Sequence, residues 1–256
     1  MALKENKKNF VKQVIIDCLR TKFQQYKPES NNMPFHYRLL GKDRMALYSF
    51  IQSLNTSFGT SIFEPVAVEL AKDRFKKVER QYEIGNEISS GCQEVIQNII
   101  NDLTLGKLPN KEQEFRLIKE KVNLGKLKKL KTVKVDLYLE TFDGEIFLFD
   151  LKAAKPNISD FKDFKGTLLE WVAIALTNNP KAKVNSLIAI PYNPYEPQPY
   201  ERWTIKGMLD DQELMVGKEF WDFLGGEGAY EDLLDCFENA GIELIDEIDE
   251  YFKKFK

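Results

Sequence analysis

Residues 134–157 read KVDLYLETFDGEIFLFDLKAAKPN. The run 133–140 (VKVDLYLE) alternates apolar and polar side chains, the pattern of a half-buried strand. The run 145–152 (EIFLFDLK) is dense in branched and aromatic residues and predicts the next strand. Asp143-Gly144 between them is a strong hairpin turn signal. Side chains two apart on a strand share a face. Asp150 and Lys152 therefore point the same way, and Asp136 on the neighbouring strand can converge on them.

Two carboxylates and an ammonium at one sheet edge are costly to bury unless they serve something. They make chemical sense around a hard divalent cation. Mg2+ prefers oxygen ligands and keeps several waters, so one or two carboxylates and a phosphate oxygen suit it. Such an ion polarises a phosphate and acidifies water, while Lys152 would hold the attacking water or stabilise developing charge. The competing reading is an exposed hairpin end with three solvated charges. An acidic residue two before a lysine is weak evidence alone: Glu5-Asn-Lys7, Asp160-Phe-Lys162 and Asp163-Phe-Lys165 have it too. Only Asp150-Leu151-Lys152 combines it with an apolar strand and an adjacent strand bearing an aspartate.

Outward from the hairpin, apolar residues at helical spacing predict a helix over 8–26, including Phe10, Val14, Cys18 and Phe23. KPESNNMP (27–34) reads as a loop. Further helices are expected over 43–54, after a small-residue turn in SLNTSFGTSIFEPVAVELAKDRF (53–75), and over 84–103. Past the hairpin, 160–177 reads as a helix, 184–190 as a strand, 191–203 as a proline- and tyrosine-rich loop, and about 228–239 and 242–254 as acidic helices. The expected fold class is α/β (α+β), a mixed central sheet flanked by helices. One domain over 1–256 is expected, with a helical part to about 105, a catalytic core over 106–205 and a helical part over 206–256.

The 256 residues, 43% hydrophobic, suffice for one large core. Charged residues make up 30% and the formal net charge is −3, which decides nothing about nucleic acid by itself. Cys18, Cys92 and Cys236 are distant and odd in number, against a disulfide framework or a zinc site. His36 is the only histidine, which disfavours His-rich metal sites and Ser-His-Asp or Cys-His catalysis. The N-terminal stretch lacks the apolar run of a signal peptide, and no apolar run nears the ~18 residues needed to span a membrane. A soluble cytoplasmic protein is expected.

The hairpin resembles the core of the PD-(D/E)xK nuclease superfamily, with Val135-Asp136 in place of Pro-Asp. That resemblance implies Asp136, Asp150 and the Leu151 carbonyl as metal ligands and Lys152 as the catalytic lysine, with Mg2+ as cofactor and Mn2+ able to substitute. Ser53–Glu64 (SLNTSFGTSIFE) resembles a Ser/Gly-rich turn and helix of type II restriction endonucleases that ends in a glutamate entering the metal site. It implies that role for Glu64, with Glu87 of IGNEIS as the alternative. Gly217–Gly226 (GKEFWDFLGG) is similar to the Sau96I and TdeIII group, which implies a short G/C palindrome such as GGNCC.

The implied function is a type II site-specific deoxyribonuclease acting on double-stranded DNA. The alternatives are a structure-specific or repair nuclease with the same core, or a DNA-binding module without catalysis. Cutting both strands of a palindrome implies a homodimer, for which Phe10, Val14, Phe23, Leu234, Phe237, Ile242, Ile245 and Phe252 offer apolar positions, and a cognate DNA methyltransferase in the host. Lys119, Lys121, Lys126, Lys128, Lys129, Lys131 and Lys134 precede Asp136, and Lys155, Lys162 and Lys165 follow Lys152. They would meet phosphates, or else form an ordinary solvated charge run. Loop 191–203 carries Tyr192, Asn193, Tyr195, Gln198, Arg202 and Trp203; Asn, Gln and Arg are types that read base edges, and the competing reading is a packed surface loop.

Overall fold

The hairpin forms as its alternation dictates and becomes the centre of a five-stranded sheet. β4 (Lys134–Glu140) and β5 (Glu145–Leu151) pair antiparallel from Leu137↔Phe149 to Glu140↔Ile146. Gly144 takes a φ of 85°, which only glycine adopts without strain, and Thr141 N donates to Glu145 O to close the turn. The structure is a computed structural model, and it describes residues 3–27, 32–131, 134–157, 160–200 and 207–253.

The chain leaves β5, crosses through α7 (Phe161–Asn178) and returns as β6 (Lys183–Ile190), parallel to β5. β6 is buried on both faces, so it reads as the nearly continuous apolar run VNSLIAI rather than as an alternation. β7 (Leu214–Val216) adds parallel to β6, and β1 (Lys77–Glu83) adds antiparallel to β4. The order is β1-β4-β5-β6-β7, the mixed sheet expected from the sequence. A two-stranded sheet of β2 (Glu87–Ser89) and β3 (Leu127–Lys129) stands apart.

Helices cover both faces. On one side α5 (Ser90–Thr104), α6 (Lys111–Lys121) and α7 bury Ile96, Ile118, Leu168 and Trp171 against Leu148 and Ile188. On the other, α1 (Glu5–Gln25), α4 (Glu64–Ala71), α8 (Lys218–Gly225) and α9 (Ala229–Glu243) bury Ile15, Val66, Phe220 and Trp221 against Leu137, Phe149 and Leu187. At about 25 cal/mol per Å2 of apolar surface, these two cores are the main force holding the layers. α2 (Pro34–Leu40), α3 (Lys42–Phe58) and α10 (Ile245–Lys253) complete the shell.

Three expectations change. SLNTSFG is helix rather than turn: α3 runs to Phe58 and passes through a π-helical turn, Gly59–Phe63, into α4. Thr56 and Ser57 return their hydroxyls to the carbonyls of Gln52 and Ser53, so these residues stay satisfied inside a helix. Pro65 has no N–H for an ordinary helical bond, consistent with the wider turn before it. The helix expected over 84–103 begins only at Ser90, capped by the Ser89 hydroxyl accepting from Cys92 N, and Glu87 lies on β2 instead. β1 arises at 77–83, between the two expected helices and inside the part expected to be helical, where no strand is expected.

Of the apolar positions considered for an interface, Phe23 and Phe252 join Phe50 and Tyr251 in an aromatic cluster, and Phe237 packs on Phe58 and Phe63. Val14 packs against its own core. Phe10, Leu234, Ile242 and Ile245 remain exposed. Among the described residues, no helix is long and apolar enough to cross a membrane.

Candidate active site

β4 and β5 part company where their carboxylates begin. The last paired residues are Leu137 and Phe149; one step further the register sets Asp136 opposite Asp150. Instead of a ladder bond, the Asp136 carboxylate accepts from Leu151 N, with Oδ2 at 2.9 Å. Lys152 follows and places Nζ 2.7 Å from Asp150 Oδ1, with its ammonium 4.6 Å over the Phe164 ring. The backbone N–H of Lys152 donates to Ala189 O of β6, which fixes where the strand ends. Asp136, Asp150 and Lys152 therefore meet as the hairpin pattern requires.

Glu64 joins them from the other layer. It is the first residue of α4 and only 4% exposed. Gln81 of β1 stands between: its Nε2 donates to Glu64 Oε2 at 3.1 Å and to Asp136 Oδ1 at 3.0 Å. The β1–β4 register sets Gln81 opposite Asp136, so Gln81, Asp136 and Asp150 form one row across three strands. No sequence pattern points to Gln81. Its backbone has a φ of 51°, a conformation costing most residues about 1–2 kcal/mol, and nothing in KVERQYE announces it. Glu87, the alternative to Glu64, lies on β2 opposite Lys129 of β3, in the separate small sheet.

The electrostatics are those of buried carboxylates that outnumber the one ammonium beside them. Burial pushes the Asp150 carboxyl well above the usual carboxylate range; Lys152 opposes the shift and Asp136 adds to it. Burial likewise raises Glu64, against the bond from Gln81, while Asp136 pushes it further up. Among the described residues, no three His, Cys, Asp or Glu side chains form a ready cation cage. The donors present are two neighbouring aspartates, with a glutamate held next to them. Hard oxygen donors that leave room for water and phosphate fit a divalent ion of the Mg2+ type.

The surroundings sort the remaining candidates. Lys119, Lys126, Lys128, Lys129, Lys131 and Lys134 are exposed, whereas Lys121 at the end of α6 is half-buried. Lys155 and Lys162 are exposed as well, with Lys155 lying over the Tyr195 ring. Lys165 is a correction: it is 0% exposed and pairs with Glu213 at 2.6 Å and Glu114 at 2.5 Å, so it belongs to the interior and not to a DNA-facing surface. A helix start placed its charge among carboxylates of α6 and of the turn before β7, which spacing along the chain could not reveal.

Loop 191–200 packs on the segment after Lys152, with Tyr200 Oη donating to Ala154 O. Asn193 accepts from Tyr195 N and donates to Gln198 O, so its amide is spent on the loop itself. Tyr192 and Gln198 are exposed; Arg202 and Trp203 lie outside the described residues.

Comparison with known proteins gives a consistent answer. The family described as HinfI type II restriction endonuclease matches residues 3–241. The type II restriction enzyme MjaII of Methanocaldococcus jannaschii is 28% identical over 254 residues, covering 86% of this chain and 67% of its own. The type II restriction enzymes HgiCII and HgiEI of Herpetosiphon aurantiacus are 26% and 27% identical over 221 residues; each match covers 84% of this chain, and 80% and 79% of theirs. The match is to the HinfI family, whereas segment 217–226 taken alone points to the Sau96I and TdeIII group.

Proposed function

Since the chain belongs to the HinfI family of type II restriction endonucleases and is a sequence-specific DNA endonuclease, we propose that Asp136, Asp150, Lys152 and Glu64 are its catalytic centre. The supporting observation is the placement of Lys152 Nζ 2.7 Å from Asp150, on the strand end where Asp136 and Asp150 face each other. Enzymes of this kind generally work with a divalent metal. Here the ion is Mg2+, with Mn2+ able to replace it. Asp136, Asp150 and the Leu151 carbonyl would hold it. When bound, it supplies Lewis acidity to the scissile phosphate and acidifies water.

The chain's own groups do the rest. Lys152, on the same face as Asp150, orients the attacking water or donates to a phosphate oxygen as charge develops there. Burial of Asp150 and Glu64 excludes bulk water and strengthens each charge interaction in the centre. The exposed lysines of β3 and the start of β4 precede Asp136 in the chain and would receive the phosphate backbone.

The target is a short palindrome in double-stranded DNA, cut by a homodimer whose two-fold axis matches that of the site. The palindrome GGNCC rests on segment 217–226 alone. The whole chain acts as one nuclease domain in the cytoplasm, where a cognate methyltransferase protects the host's own sites.

Sequencing the ends of DNA digested with Mg2+, with Mn2+ and with chelator tests this reading. It expects identical ends at one short symmetric sequence with either metal, and no ends with chelator. Scattered ends, or cutting that survives chelation, would contradict it.

A further inference from the structure

Among the described residues, Gln81 is the one non-glycine with a left-handed backbone. The side chains of β1 and β4 change faces at this row. Val78 packs with the α4 side and Tyr82 with the α7 side, although four residues apart on a regular strand share a face. Likewise Leu137 and Leu139 face the α4 side, while Val135 faces the other. Such a bend asks only for a glycine. What a glycine would lack is the carboxamide that reaches both Glu64 and Asp136.

A primary amide carries two N–H groups, one for each carboxylate. Being neutral, it lowers the repulsion between them without adding a charge that would repel a cation. Glu64 and Asp136 come from different layers, and among the described residues only Gln81 hydrogen-bonds to both. We propose that Gln81 is a positioning residue: it holds Glu64 beside Asp136 so that both carboxylates serve one divalent cation. This rests on the reading of Asp136 and Asp150 as metal ligands.

The test is calorimetric titration of the full chain with Ca2+ alone, a hard cation with the same preference for oxygen, alongside thermal melts. Gln81→Gly and Gln81→Ala should each weaken Ca2+ binding by about tenfold or more, the range seen when groups supporting ligands are removed. The Gly variant should melt above the Ala variant, because it keeps the bend without the strain. Gln81→Asn tolerates the left-handed backbone but is one methylene too short to span both carboxylates. It should stay folded and bind Ca2+ as weakly as Gly, which covers the case of a poorly folded Gly variant. Unchanged Ca2+ affinity in a folded Gly or Asn variant overturns the proposal. If the unmutated protein binds no Ca2+, the ligand assignment itself fails, and this proposal with it.

Discussion

The carboxylate of Asp136 accepts the backbone N–H of Leu151 at 2.9 Å, so the aspartate of β4 caps the very peptide that separates Asp150 from Lys152. One side chain thus ends the β4–β5 ladder and sets the spacing of the centre. Asp136→Ala should lower cleavage by at least about a thousandfold, equivalent to about 4 kcal/mol of transition-state stabilisation. The two cores lie elsewhere in the sheet, so circular dichroism should still report a folded protein. Cleavage within tenfold of the unmutated rate would contradict the role given to Asp136.

Lys152 separates chemistry from binding. Lys152→Ala removes the ammonium beside Asp150 and over Phe164, and should leave no measurable cutting. It leaves the lysines of β3 in place, so a gel shift on a specific duplex with Ca2+ should give a Kd within a few-fold of the unmutated protein. Loss of DNA binding together with cutting would assign Lys152 to the binding surface instead.

The two glutamates are distinguishable. Glu64 is buried against Gln81, whereas Glu87 pairs with Lys129 in the separate small sheet. Glu64→Gln should reduce the cleavage rate more than about tenfold, a barrier increase of about 1.4 kcal/mol; Glu87→Gln should do less. Initial rates on a linear duplex with one site decide it, and a larger effect at Glu87 would reverse the assignment.

Lys165 is expected to matter for stability alone. Its one ammonium is shared between Glu213 and Glu114 with no access to solvent, and burial pushes the Glu213 carboxyl up while Lys165 opposes the shift. Lys165→Ala strands two buried carboxylates and should cost about 3–5 kcal/mol of unfolding free energy. Urea melts would show this. Where the variant is still folded, its DNA affinity should match the unmutated protein.

The lysines of β3 and its flanks are proposed to carry the electrostatic part of binding. Replacing Lys126, Lys128, Lys129 and Lys131 by Gln should weaken binding on all sequences alike. The slope of log K against log[salt] should flatten by about 0.9 for each phosphate that is no longer neutralised. An unchanged slope would make them an ordinary solvated strip.

What the sequence made legible follows from periodicity. β4, β5, β6 and α7 have strong apolar patterns, and each lies within a residue or two of its expected bounds. The convergence of Asp136, Asp150 and Lys152 was legible from the hairpin turn, which sets their strands side by side, and from the rule that residues two apart on a regular strand share a face. β1 was not, since KVERQYE is a largely exposed edge strand whose charges guard it rather than fill a core. β7 is three residues long, too short for any pattern. The burial of Lys165 and the bridging role of Gln81 depend on partners 48 and 55 positions away, and on a backbone conformation no residue type in that strand signals.

The most direct measurement is a Mg2+ digest of plasmid DNA by the unmutated protein and by Asp150→Ala, purified in parallel and both shown to be folded. The unmutated protein should give a small set of discrete fragments, and Asp150→Ala should leave the plasmid intact at the same concentration. Discrete fragments from Asp150→Ala at a comparable rate would show that the chemistry happens somewhere else on this chain.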